Sequence, residues 1–173
     1  TDFSKYAFST GGSLVDIPFN NLTLTMEYTK VFPGAYGSIN PSLTYSSSGY
    51  LDKYPYTLGH WIGDNSEMVY GSLKYRILRG LEVDFWAQII NKGTEITASR
   101  SYELPESGFL YSKVPTDRKI YKYFGAELNY EFYYNCIINL NYRQIEESVK
   151  NKAGKYDKTE IKNFSVTVGY GLN

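Results

Sequence analysis

The sequence predicts an all-β fold, the antiparallel wall of a transmembrane β-barrel with about seven strands. Three observations lead there. Apolar and polar residues alternate with a period of two over most of the chain. The links between the alternating segments are short and long by turns. No stretch approaches the ~18–20 uninterrupted apolar residues that a transmembrane helix needs.

The elements follow in order. A first strand is expected near Lys5 to Ile17, weakly phased because Gly11 and Gly12 blur its register. The second, Leu22 to Lys30, sets Leu22, Leu24, Met26 and Tyr28 against Thr23, Thr25, Glu27 and Thr29. Glu67 to Leu78 opposes Val69, Gly71, Leu73, Tyr75 and Ile77 to Met68, Tyr70, Ser72, Lys74 and Arg76. Leu81 to Ile90 opposes Leu81, Val83, Phe85, Ala87 and Ile89 to Glu82, Asp84, Trp86 and Gln88. Tyr121 to Tyr133, Cys136 to Gln144 and Lys162 to Leu172 complete the series with the same alternation.

A soluble β-sandwich or a lipocalin-like barrel also alternates. Two features point away from it. The polar faces repeat charges at successive inward positions, Glu82 with Asp84 and Glu127 with Glu131, as a water-filled lumen would. The short links, Pro18–Asn21, Leu78–Gly80 and Tyr133–Asn135, all fall at one end, while long loops of about 31–66, 91–120 and 145–161 fall at the other. Outer-membrane barrels sort short periplasmic turns from long extracellular loops in this way. The stretch Phe164–Asn173 resembles the terminal strand of outer-membrane proteins, though it ends on Asn173 rather than an aromatic. An odd strand count leaves the wall unclosed, so residues 1–173 read as one unit, the C-terminal portion of a larger barrel. Thr1 begins without a signal-peptide pattern, which reads as a mature or truncated product.

Composition narrows the function classes. Aromatics reach 17%, led by 19 Tyr, a residue suited to membrane interfaces and sugar-binding surfaces. The 18 basic and 18 acidic residues balance, which argues against nucleic-acid binding. Cys136 is the only cysteine and His60 the only histidine, so no metal site and no cofactor is expected.

The first long loop holds the most distinctive residues. Glu27-Tyr28-Thr29 closes a strand; Pro33, Tyr36, Pro41 and Tyr45 follow; then come Leu58-Gly59-His60, Gly63-Asp64-Asn65 and Glu67. Lys74-Tyr75-Arg76, Leu78-Arg79-Gly80-Leu81 and Lys92-Gly93 continue the series. In order and spacing, from about Asn21 to Gly93, this resembles the Wzi-type capsule assembly family. The resemblance implies a non-enzymatic, lectin-like outer-membrane protein that binds, anchors or helps assemble capsular or other surface polysaccharide. Members form large barrels of about eighteen strands, within the bacterial range. The family's small helical bundle is not seen in this sequence.

Sugars present apolar C–H faces and hydroxyl edges, which suit aromatic platforms flanked by hydrogen-bonding groups. Tyr36, Tyr45, Tyr50, Tyr54, Tyr56 and Trp61 are therefore candidates for stacking, with His60, Asp64 and Asn65 for hydrogen bonds. The same residues would equally plug the extracellular end or form an aromatic girdle. Catalysis by His60 would need a nucleophile and an orienting acid; Ser66, Asp64 and Glu67 are near in sequence, but no nucleophile elbow is present. A histidine bonding loop backbone is the expected role. Glu82, Asp84, Glu127, Glu131 and Arg143 are expected to line the lumen, where they would tune selectivity if the barrel were a porin or solute channel. A barrel anchor of a larger envelope complex is a third reading. The partners expected are outer-membrane lipid, surface polysaccharide and further barrel strands, in a bacterial outer membrane.

Overall fold

Alternation gives each strand two chemically distinct sides, and the pairing register decides whether neighbouring strands agree on which side is which. Here they agree throughout. The structure, a computed structural model, describes residues 6–32, 35, 60–63, 65–93, 119–134, 136–150 and 155–170. Seven strands form one antiparallel sheet in sequential order: β1 Ala7–Val15, β2 Leu22–Val31, β3 Ser66–Leu78, β4 Leu81–Lys92, β5 Lys119–Tyr133, β6 Cys136–Lys150 and β7 Tyr156–Tyr170. Among the described residues there is no helix. The expected all-β, seven-stranded antiparallel arrangement is present, as an open sheet whose edges are β1 and β7.

Two expected boundaries are corrected. The loop of about 145–161 is largely strand, because β6 runs on to Lys150 and β7 begins at Tyr156. Glu146 and Ser148 break the apolar alternation, so the segment does not read as strand. Pairing nevertheless continues from Ile145↔Ile161 to Lys150↔Tyr156, with Lys122 and Lys158 around Glu146. β1 is shorter than Lys5 to Ile17, because Asp16 turns into the left-handed region at φ 59° and starts the link to β2.

Directly paired residues in an antiparallel sheet project to the same side. One rung runs Leu14–Leu24–Leu73–Phe85–Ala126–Tyr142–Phe164, and the next runs Leu22–Tyr75–Val83–Leu128–Leu140–Val166. The opposite face carries Ser13–Thr25–Ser72–Trp86–Gly125–Arg143–Asn163. Exposure is inverted relative to a water-soluble sheet. Met26, Val69, Leu73, Phe85, Phe124, Phe164, Val166 and Val168 stand exposed on the apolar face, while Thr25, Glu82, Asp84, Gln88 and Glu127 are half-buried on the polar one.

The sheet is also sheared. Leu22 opens β2 on the rung of Leu140, whereas β6 opens at Cys136, four residues before Leu140. The stagger is therefore about one residue per strand; at about 3.3 Å per residue and about 4.8 Å between strands, that corresponds to a strand tilt of roughly 35°. The upper limit of the apolar face descends in the same direction, from Lys30 on β2 to Lys122 on β5 and Lys162 on β7.

Glycine is required where the backbone crowds. Gly80, at φ 85°, makes the β3–β4 turn, and its carbonyl accepts the Glu131 N–H at 2.7 Å. Gly125 lies opposite Trp86, whose indole covers it so closely that a Cβ would overlap the ring. The substitution Gly125→Val, made beside Trp61→Phe so that Trp86 is the only tryptophan, should expel the indole. Urea unfolding should show a loss of about 1–3 kcal/mol, with Trp86 emission shifted to the red. An unchanged midpoint and spectrum would contradict this packing.

Candidate functional site

Two groups of side chains stand out on the polar face: a hydrogen-bonded cluster on β4–β6 and an apolar cap at the long-loop end. The cluster follows from register. Glu127 on β5 faces Asp84 on β4 and Asn141 on β6, and Asn129 faces Glu82 and Asn139. Asn129 and Asn139 donate to Glu127 Oε1 at 3.0 and 2.7 Å, and Asn141 donates to Oε2 at 3.2 Å. Asn139 also donates to Asn129 Oδ1 at 2.6 Å. A carboxylate held by several amide donors keeps its charge without an ammonium partner.

The expected lumen residues Glu82, Asp84, Glu127 and Arg143 all lie on this face. Glu82 pairs with Lys74 at 2.7 Å and Arg76 at 3.6 Å on the neighbouring strand. Asp84 Oδ1 is buried and has no hydrogen-bond partner among the described residues. Arg143 faces Gly125 and Asn163. Glu131, the register partner of Ile137, lies on the same face at its short-turn end, exposed beside the Gly80 turn.

A plug formed by these loop residues was one of the expectations; its aliphatic anchor, Ile62, was not among the residues named for it. Residues 60–63 fold onto the polar face at the long-loop end, where Ile62, 3% exposed, packs with Val31, Met68 and Ile90. Tyr70, Tyr121, Tyr123 and Ala35 pack around that cluster. Gly63 N–H donates to His60 O at 3.0 Å, closing a turn. The Ser66 hydroxyl donates to Gly63 O at 2.6 Å and Ile62 O at 3.3 Å. Asn65, at φ 50°, presents its carbonyl to Gly93 N–H at 2.8 Å and ties the cap to the end of β4. A signal for this was present in the sequence: the neighbours Met68–Val69 and Ile89–Ile90 put apolar residues on both faces at the same height, so the polar face needed an apolar cover there.

Of the candidate glycan contacts, the structure places three. His60 Nδ1 accepts the Ile62 N–H at 3.4 Å, a loop-backbone contact as expected for a structural histidine. The Trp61 ring lies 6.0 Å from the imidazole and is 63% exposed. Asn65 is buried in the cap instead of presented to a ligand. Tyr36, Tyr45, Tyr50, Tyr54, Tyr56 and Asp64 lie outside the described residues. The Ser66 hydroxyl is committed to backbone carbonyls, so no nucleophile–base pair with His60 forms among the described residues. No group of three or more potential metal ligands occurs among them either.

The cap rests on one aliphatic side chain. Ile62→Ala should loosen it by about 2 kcal/mol or more, roughly thirtyfold in local opening. Amide exchange should quicken at Gly63 and Gly93, whose N–H groups the cap protects, while amides in the middle of β3 and β4 keep their rates. Equal acceleration across the sheet would show that the cap is not a separate unit.

No protein-family model, curated protein or solved structure matches the chain.

Proposed function

We propose that this chain is part of the wall of a transmembrane β-barrel in a bacterial outer membrane. In that reading its capped loop end binds, anchors or helps assemble surface polysaccharide without catalysis. The observation that carries the membrane reading is the inverted exposure of the two faces. Each large apolar side chain left in water forgoes about 1.5–3 kcal/mol of burial. Phe85, Phe164, Val166, Val168 and their neighbours make that exposure continuous across the sheet. Lipid removes the cost, and the half-buried polar face then lines the lumen.

The dimensions agree. The outward apolar run covers Leu22–Tyr28 on β2 and Leu81–Ile89 on β4; at about 3.3 Å per residue and a tilt of roughly 35°, these span about 19–24 Å, near the ~25 Å apolar band of outer-membrane barrels. The stagger has the size that barrel strands require. Further strands, from the same polypeptide or another, would pair with the β1 and β7 edges.

The polysaccharide reading draws on the order of motifs shared with the Wzi-type capsule assembly family and on the form of the cap. Ile62 anchors the segment from below while Trp61 stands out beside His60, a fixed aromatic platform of the kind that stacks on a sugar ring. The apolar cap over the polar face supports this anchoring role over an open solute channel.

The neighbours Leu73 and Ser72 test the wall directly. Leu73→Arg should cost about 2–4 kcal/mol of stability in bilayers, whereas Ser72→Arg should cost far less. Similar losses from both, measured by unfolding from lipid vesicles, would sink the membrane assignment. For the glycan role, His60→Ala with Trp61→Ala in the intact protein should reduce cell-retained surface polysaccharide at unchanged barrel abundance. Full retention would reject it.

A further inference from the structure

Above the apolar band, the outward face of β5–β7 carries a compact group of charges. Glu146 and Glu160 are direct register partners, an arrangement that repels unless cations intervene. Lys122 and Lys158 both approach Glu146 Oε1, at 3.1 and 3.8 Å, and Lys162 approaches Glu160 Oε1 at 3.1 Å. Gln144 donates to that same Glu160 oxygen at 2.6 Å. Lys150, opposite Tyr156, lies on the same face one step beyond. Immediately below the group are Tyr142, Phe164 and Val166, part of the exposed apolar surface.

Lysines therefore outnumber carboxylates here, and the side chains of Lys158 and Lys162 remain 65% and 56% exposed despite their ion pairs. Surface ion pairs contribute little stability, so the pairs matter more for where they hold the ammonium groups. They hold them directly over an apolar wall, which is where the phosphate of a lipid sits when its acyl chains lie against that wall. Long lysine stems follow the apolar surface and lift the charge to this height.

We propose that Lys122, Lys158 and Lys162, supported by Lys150, form a contact strip for the phosphate of anionic membrane-lipid headgroups at the long-loop end of the wall. This rests on the reading of the apolar face as lipid-facing. The net positive charge and its continuity with that face select a negatively charged lipid rather than a soluble anion.

The test compares the intact protein in vesicles of phosphatidylcholine with and without phosphatidylglycerol, counting lipids retained after extraction by native mass spectrometry. The protein should retain phosphatidylglycerol preferentially, and salt should weaken the preference. The triple substitution Lys122→Gln, Lys158→Gln, Lys162→Gln should reduce that preference by ~tenfold or more. Lys158→Arg with Lys162→Arg should preserve it, and Lys74→Gln on the polar face should leave it unchanged. An unaltered preference in the triple variant overturns the proposal, as does its abolition by inorganic phosphate, which would mark a free-anion site. If the intact protein fails to enter phosphatidylcholine vesicles at all, the wall reading fails first. Entry without any headgroup preference refutes the strip alone.

Discussion

Register is the constraint on which everything else in this sheet depends. A slip of one residue at any of the six pairings would turn that strand's apolar side toward Glu82, Asp84 and Glu127 and its polar side outward. The two irregularities, between Arg76 and Leu78 and between Glu131 and Tyr133, sit beside the short turns. There the extra residue is absorbed before it can change the parity of the band. The Leu73–Phe85–Ala126–Tyr142–Phe164 rung and the amide cluster around Glu127 are two outcomes of the same ladder, one on each side.

Much of this was legible in the chain because period-two alternation is a local signal. The seven strands, their antiparallel succession and the shared face of Glu82, Asp84, Glu127 and Arg143 all follow from parity and link length. The far ends of β6 and β7 were not legible. Glu146 and Ser148 face outward above the apolar band, so hydropathy falls silent while pairing continues. The place of Ile62 in the cap was hidden for a different reason: nothing local sets it apart from Ile39, Leu43, Leu51 and Leu58 in the same loop, and its partners Val31, Met68 and Ile90 come from three strands. The Asn129, Asn139 and Asn141 donors to Glu127 needed a register that only the folded sheet supplies.

The two ends of the polar face differ in physical character. Toward the short turns it is a hydrogen-bonded surface of carboxylates, amides and cations, and toward the long loops it becomes a small apolar core. Trp86, laid over Gly125, lies between these regimes, and the stacked Tyr121–Tyr123 pair, 6.4 Å between centroids, packs against the apolar core. The cap is thus braced by the sheet itself, because its lower contacts are side chains of β2, β3 and β4 and its hydrogen bonds reach the end of β4.

The exposed apolar face has a consequence for the time before the sheet is assembled. A surface that resists water on one side and offers unpaired backbone at β1 and β7 has no comfortable resting state in solution. Another copy arriving edge to edge would satisfy both needs at once, and the product would be a growing stack. In the proposed membrane reading, the strands would have to be kept apart until neighbours of the right stagger and an apolar solvent are at hand.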